Sequence, residues 1–276
     1  MQIPFPHNSG IYLKLAPVAH NQIDYPTSQL QKGLVLVVNG EELVEEGVGF
    51  GVPVLKQGLK TIFPGAIQLA DWKQDQELTA VYHMNLEERL AGQNQRVVEN
   101  QLLYRLKDYL AEAYRRYPAM RRWLTTLSNG MRHAFNWQTS YENAGWDYPV
   151  RVHYTFDWQS SLVSVEVDVT ALPQEDVTEV VVMNEQGAHH FDTYSDSSGV
   201  RLHGGAIGSW EQVTAESASF LSHRHGVAFT LPQLEGARLF RGRELVGSRL
   251  AWAGFGYSFS LAPPRIAYSL QIKRLS

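Results

Sequence analysis

The sequence contains no cysteine among its 276 residues. Disulfide bonds, thiolate catalysis, and zinc or iron–sulfur sites built on cysteine are therefore excluded. The sequence also lacks a surplus of positive charge, since 24 Lys and Arg residues stand against 28 Asp and Glu residues and the formal net charge is −4. This balance argues against nucleic acid or an anionic membrane surface as a partner.

Long apolar runs are absent as well. No stretch approaches the roughly 20 apolar residues that a membrane-spanning helix needs, and residues 1–7 lack the cationic and apolar segments of a signal peptide. The sequence thus predicts a cytoplasmic protein without a membrane partner. Hydrophobic residues still make up 44% of the chain and charged residues 19%, so the chain can bury a substantial core.

Short apolar segments dominate both halves of the chain. Residues 150–158 and 163–169 alternate between apolar and polar side chains around a short turn, which predicts an amphipathic β-hairpin. Residues 94–117 instead carry apolar side chains at helical spacing, and a second helical piece follows Pro118. We therefore predict a mainly β protein, a large antiparallel β-sandwich or open barrel with a helical hairpin insertion at about 94–128.

The length permits two domain organisations. The first is a single β-rich domain over 1–276 that contains the helical insertion 94–128. The alternative is an N-terminal β part over 1–92 and a C-terminal β-sandwich over 148–276, joined by the helices.

An acidic cluster precedes three glycines at every second position within residues 41–53. An Asn-Gly pair just before the cluster predicts a hairpin turn, so the carboxylates should lie on the returning strand, which is predicted over residues 42–50. The glycines indicate a bulge or a close approach by ligand or neighbouring backbone. Glu45 and Glu46, beside the glycines, are candidate catalytic carboxylates. Glu41 and Glu42 are typical of a charged edge strand that resists aggregation.

A second polar segment, residues 184–196, contains two adjacent histidines. His189 and His190 are candidate general acids or bases because imidazole titrates near neutrality, and Tyr194 could assist them. Neighbouring residues of a strand point to opposite faces, so at most one imidazole faces a given cleft. The alternative is a polar loop whose Asp and Ser side chains cap turns.

A possible metal motif occurs at His223 and His225, since His-x-His on a strand places both rings on one face. Glu216 or Asp192 could complete such a site. An exposed hairpin rim is the favoured interpretation, because so short a motif often occurs by chance. The sequence therefore predicts no metal and no cofactor.

Candidate substrate-binding residues lie in the last third of the chain. Arg241 and Arg243 alternate on one face and could bind an acidic group through two hydrogen bonds each. Trp210 and Trp252 could stack on a sugar ring. The alternative for the arginines is ion pairing with nearby glutamates on a solvated sheet face.

These residues lead to the hypothesis of a carbohydrate-active enzyme, a hydrolase, lyase or epimerase. A glutamate and a histidine would share general acid–base chemistry on a glycan or small-molecule ligand in a β-sandwich cleft. One alternative is a non-catalytic β-barrel or sandwich that binds a sugar or another small molecule. A second alternative is a structural or assembly protein that uses the amphipathic helices as an interface.

Overall fold

The structure is a computed structural model that describes residues 2–4, 10–16, 30–45, 47–73, 76–91, 138–157, 159–173, 175–245, 251–260 and 262–275. Within these ranges the chain is almost entirely β-strand, and its one helical element is a 3-10 turn at Gly204–Ile207. The mainly β prediction is confirmed. The predicted helical hairpin at 94–128, and the interface built on it, lie outside the described residues. No described helix has the length and hydropathy to cross a membrane.

Eighteen strands within the described ranges form one hydrogen-bonded antiparallel sheet. The first nine are β1 Gln2–Pro4, β2 Ile11–Ala16, β3 Gly33–Val38, β4 Glu41–Glu42, β5 Phe50–Gln57, β6 Lys60–Lys73, β7 Glu77–Ala91, β8 Gln138–Asp157 and β9 Leu162–Asp168. The other nine are β10 Glu179–Gln186, β11 Thr193–Asp196, β12 Arg201–His203, β13 Glu211–Gln212, β14 Ser217–Ser222, β15 Val227–Pro232, β16 Arg238–Leu245, β17 Ala251–Phe259 and β18 Arg265–Arg274.

The strands follow one long path through the sheet. Its order is β12-β11-β14-β15-β18-β9-β8-β7-β6-β5-β10-β17-β16-β13. The strands β1 to β4 join this path beside β5, where Leu34 pairs with Phe50. The path does not return to its first strand among the described residues, so the sheet is not closed into a barrel.

The sheet folds over on itself, because strands that are not hydrogen-bonded neighbours pack face to face. The ring of Phe229 on β15 lies 5.2 Å from that of Phe50 on β5 and 5.9 Å from that of Phe255 on β17. Tyr268 on β18 donates a hydrogen bond of 2.7 Å to Asn184 on β10. These contacts cross the interior, so the packing corresponds to the sandwich alternative of the prediction.

The core explains why the alternating segments form strands. In β8 the side chains of Val150, Val152 and Tyr154 are fully buried, and Tyr154 pairs in register with Val165 of β9, which confirms the predicted hairpin. One hydrophobic cluster contains buried residues from Ile11 to Ile272. The organisation of the chain as a single domain remains a prediction.

Candidate functional site

The predicted hairpin turn before the acidic cluster is confirmed. Asn39 and Gly40 have φ angles of 52° and 86°, and positive values at both central residues are typical of a type I′ hairpin turn. The returning strand β4 ends after Glu42, and the described residues between it and β5 have no regular structure. The predicted strand over 42–50 is therefore wrong, because the Leu43 carbonyl instead accepts a hydrogen bond of 2.6 Å from Gly187 of another segment.

The glycines of this segment lie where neighbouring chain approaches closely, as their spacing predicted. A Cβ atom on Gly49 would lie 2.3 Å from the carbonyl oxygen of Leu34. Gly51 has a φ of 73° and occupies a bulge, where the pairing between β5 and β10 shifts register. The close approach comes from the protein itself and not from an open cleft.

Two Glu-x-Gly segments, Glu45-x-Gly47 and Glu185-x-Gly187, cross each other beside these glycines. A Cβ atom on Gly187 would lie 2.6 Å from Glu45 Cγ, and a Cβ atom on Gly47 would lie 2.7 Å from Glu185 Oε2. Each carboxylate therefore occupies space that a side chain would fill on the opposite segment. Glycine at both positions permits the crossing.

Glu45 and His189 form a tight pair at the rim of this crossing. Glu45 Oε1 lies 2.5 Å from His189 Nδ1, and Glu45 Oε2 accepts a hydrogen bond of 3.1 Å from the His189 amide. The side chain of His189 is 50% exposed and that of Glu45 is 23% exposed. Among the described residues, no group bonds the other ring nitrogen, Nε2. A surface ligand can therefore reach a histidine whose orientation a carboxylate fixes.

Arg243 supports the turn that carries His189. Its Nε donates to the carbonyl of Phe191 at 3.1 Å, and its Nη2 donates to the carbonyl of Ala188 at 2.8 Å. Partial burial lowers the pKa of Arg243, while the nearby carboxylates of Asp192 and Glu45 oppose this effect. Both of these hydrogen bonds are with main-chain carbonyls, so Arg243 positions the turn.

Glu185 is a buried carboxyl on the other side of the crossing. Its Oε2 accepts a hydrogen bond of 3.0 Å from the Val48 amide, and the residue is 4% exposed. Burial raises its pKa to about 8, although the Val48 amide and the fully buried Lys32 oppose this effect. Glu244 adds a smaller repulsion that also raises the pKa. Glu185 is therefore mostly protonated at neutral pH, and it was not among the predicted site residues.

His190 makes its hydrogen bond to a different partner from that of His189. Its Nδ1 lies 3.0 Å from Nε2 of His225, and the two side chains are 9% and 7% exposed. Burial lowers the pKa of both imidazoles, so both are largely neutral at pH 7. Three possible metal-ligand atoms, one each from Glu41, His190 and His225, lie within 4.8 Å of one another. Imidazole and carboxylate groups of this kind can hold a divalent transition metal.

The predicted His-x-His pair is separated in the structure. His223 and His225 lie in the turn between β14 and β15, not on a strand. His223 contacts Arg201 at 3.3 Å, and His225 turns inward to His190. The residue near both imidazoles is Glu41, whose place in the sequence is typical of a charged edge strand.

Tyr194 is buried, and the partly buried Arg241 packs against its ring. Tyr194 is fully buried, donates a hydrogen bond of 2.7 Å to Asp196, and has a pKa well above its ordinary value because of burial. The Arg241 guanidinium lies 4.6 Å from the centre of the Tyr194 ring and 2.9 Å from Glu211. These contacts are typical of structural roles, so neither residue is assigned to the rim.

Trp210 and Trp252 stack on each other, with ring centres 4.9 Å apart and planes at 23°. Glycines make room for both rings, because a Cβ atom on Gly242 would lie 2.4 Å from Trp252 and one on Gly256 would lie 2.9 Å from Trp210. Trp252 is 8% exposed, whereas Trp210 is half-buried. The remaining predicted site residue, Glu46, lies outside the described residues.

Comparison with known proteins gives no family for this chain. No family model matches it, and no curated protein matches it. Among solved structures it is similar to the α-N-acetylgalactosaminidase NagBb from Bifidobacterium bifidum in its GalNAc complex, with a TM-score of 0.49 and 11% identity over 99% of this chain. The chain spans 36% of that protein. It is also similar to a galactose mutarotase-like protein from Lactobacillus casei ATCC 334, with a TM-score of 0.41 and 13% identity over 99% of both chains.

Proposed function

We propose that this protein is a carbohydrate-active enzyme that moves a proton on its substrate, with Glu45 and His189 as the acid–base pair. The observation that carries the proposal is their 2.5 Å contact at an accessible rim. When the carboxylate accepts a hydrogen bond from Nδ1, the lone pair of the neutral ring is on Nε2, where it can take a proton. The same carboxylate then stabilises the imidazolium.

The composition of the pair favours an epimerase or a lyase over a hydrolase. Glycoside hydrolysis commonly uses two carboxyl groups about 5–9.5 Å apart, whereas this pair consists of one carboxylate and one imidazole. His189 would remove a proton from a carbon next to a carbonyl or carboxylate group of the sugar. Delivery of a proton from water to the other face of the resulting enolate gives an epimer. Alternatively, the His189 imidazolium returns its proton to a neighbouring oxygen substituent as the C–O bond breaks, which gives an unsaturated sugar.

Trp210 and Trp252 support a sugar as the substrate. A Cβ atom on Gly47, two residues after Glu45, would lie 2.9 Å from the Trp252 Cβ, so the aromatic pair is close to the rim. Aromatic rings offer apolar faces on which the C–H groups of a sugar ring can pack. The half-buried Trp210 would provide the outer face of this pair.

A cytoplasmic location stays a prediction.

Proton transfer can be tested directly by NMR in D2O. A panel of reducing sugars and uronic acids is incubated with the protein, deuterium incorporation is followed, and ultraviolet absorbance reports unsaturated products. We expect His189→Ala to lower kcat/KM by about 10²–10⁴-fold, and Glu45→Gln to lower it by about tenfold or more. His223→Ala is the matched control and should retain the wild-type rate, because His223 is outside the pair.

Unchanged turnover in both His189→Ala and Glu45→Gln would contradict the proposal. A second candidate function, sugar binding without catalysis, is favoured by the stacked tryptophans. It predicts that a sugar quenches tryptophan fluorescence in the wild type while no deuterium exchange or product appears. In that case Trp210→Ala should abolish the quenching, and His189→Ala should leave it unchanged.

A further inference from the structure

We propose that Glu41, His190 and His225 form a binding site for a divalent transition metal, with Zn²⁺ as the best-fitting ion. The three residues come from separate parts of the chain. Glu41 begins β4, His190 lies in the turn after β10, and His225 lies in the turn between β14 and β15. The folded sheet brings one donor atom of each within 4.8 Å of the others.

The spacing of the two imidazoles is close to that of a metal-bound pair. Zinc binds histidine nitrogen at about 2.0–2.1 Å, so two tetrahedrally placed nitrogens lie about 3.3 Å apart. The observed distance between His190 Nδ1 and His225 Nε2 is 3.0 Å. The separation therefore fits one ion, and rotation of the two rings would direct both nitrogens toward it. Without an ion, the same two nitrogens share a hydrogen bond.

Glu41 can supply the third ligand with a small side-chain rotation. Its carboxylate oxygens lie 3.9 Å from His190 Nδ1 and 4.0 Å from His225 Nε2. The side chain is 42% exposed, so it has room to move toward the imidazoles. The competing partner, Arg224, is 3.8 Å away and 66% exposed, and such a surface ion pair is weak.

Hydrogen bonds from their backbone amides hold both histidines in place. The His190 amide donates to the carbonyl of Gly187 at 3.1 Å, and the His225 amide donates to Ser222 Oγ at 3.3 Å. Two histidines and one carboxylate leave a fourth position for water or ligand, as in zinc sites that are open to substrate. Because the exposed member is Glu41, that position would open toward solvent. Metal binding here does not depend on the acid–base function proposed for Glu45 and His189.

The test uses the full chain after treatment with a chelator and removal of the chelator. Calorimetric titration with Zn²⁺ should show one site per chain. Titration with Co²⁺ should produce visible absorption bands of a four- or five-coordinate ion with nitrogen and oxygen ligands. We expect His190→Ala and His225→Ala each to weaken Zn²⁺ binding at least tenfold, and Glu41→Gln to weaken it by a smaller factor. His223→Ala, in the same turn, should bind as the wild type does.

Far-UV circular dichroism shows whether each variant folds, and Glu41→Gln serves as the least disruptive of them. The proposal is overturned if the wild type shows no Zn²⁺ heat and no Co²⁺ bands. It is also overturned if His190→Ala, His225→Ala and His223→Ala all bind equally well. Sugar turnover measured in the presence of a chelator tests the Glu45–His189 pair separately, so the two proposals can fail independently.

Discussion

Glu45 and Glu185 occupy matching positions in two crossing segments, yet their surroundings differ. Each precedes a glycine by two residues, and each packs against the glycine of the other segment. The Glu45 side chain is 23% exposed and meets His189 at 2.5 Å. Glu185 is 4% exposed and meets the Val48 amide at 3.0 Å. One carboxyl group thus reaches the surface with an imidazole, and the other is enclosed with an amide.

The difference shows that burial, more than residue type, sets the chemistry of a carboxyl group. Enclosure raises the pKa of Glu185 to about 8 and favours its neutral form. At the rim, Glu45 lies beside His189 and near Arg243, and its carboxylate orients the His189 imidazole. The crossing therefore combines a structural acid with a candidate catalytic carboxylate.

We expect the largest effect on the free energy of unfolding from Glu185→Gln, which replaces the buried carboxyl group with an amide. A pKa raised from 4.5 to about 8 means that the contribution of Glu185 to stability is complete below about pH 4.5 and is lost as the pH rises through about 8. Each pH unit inside that window lowers the free energy of unfolding by about 1.4 kcal/mol. Glu185→Gln should therefore become more stable relative to the wild type as the pH rises.

Urea unfolding at pH 5, 7 and 8.5 measures this difference. The charged groups that face Glu185 are Lys32 and Glu244, and the Val48 amide donates a hydrogen bond to its carboxyl group. Glu179→Gln, at a partly exposed glutamate on the same strand, is the matched control for replacing a carboxylate of β10 that is not enclosed. A difference between Glu185→Gln and the wild type that is independent of pH contradicts the buried-acid assignment.

Replacing each of the two glycines by alanine tests whether the crossing of the two segments positions Glu45. Gly187→Ala would place a methyl group 2.6 Å from Glu45 Cγ, and Gly47→Ala would place one 2.7 Å from Glu185 Oε2. Overpacking of this kind costs about 1–3 kcal/mol in the free energy of unfolding. Both variants should lose stability in urea unfolding. Gly187→Ala should also lose turnover to nearly the extent of His189→Ala, and equal turnover in Gly187→Ala and the wild type would show that Glu45 does not need its present position.

The strands were predictable where the pattern is local. The alternation of apolar and polar side chains across residues 150–169 indicates a hairpin directly, because side chains of a strand alternate between its faces. The Asn39-Gly40 turn was predictable for the same reason, since its backbone angles depend on two residues alone. By contrast, the strand predicted over 42–50 failed because hydrogen bonds to distant residues divert the chain.

The residue types of the site were predictable from the sequence, but which of these residues lie together was not. Glu45 and His189 are 144 positions apart, and no local pattern records that they pair. Glu185 follows alternating valines that point inward, so its own position indicates an exposed side chain. The segment containing Gly47 and Val48 covers it, and only the fold shows this. Glu41 was missed in the same way, because its histidine partners come from two other turns.

Arg243→Lys tests how much of the Glu45 arrangement depends on the turn that carries His189. Lysine retains the positive charge but lacks the planar fork that donates to the carbonyls of Phe191 and Ala188. We expect a loss of about 1–2 kcal/mol in the free energy of unfolding and a fall in kcat of about tenfold. Arg241→Lys is the comparison variant and should affect stability more than kcat, because Arg241 bonds to Glu211 and to the Ile207 carbonyl. Equal kcat in Arg243→Lys and the wild type would limit Arg243 to a role in stability.

The smallest effect is expected from Glu42→Gln, a carboxylate of the same segment that takes no part in the crossing. Glu42 pairs with Lys14 at 2.5 Å, and the two side chains are 14% and 21% exposed. Glutamine retains a carbonyl oxygen that can accept from Lys14, so we expect a loss of about 1 kcal/mol, the net contribution of a typical hydrogen bond. Urea unfolding should show this loss, and added salt should shrink it, because salt screens the ion pair of the wild type. A loss as large as that of the glycine variants would mean that charge on this segment, and not burial at the crossing, dominates its stability.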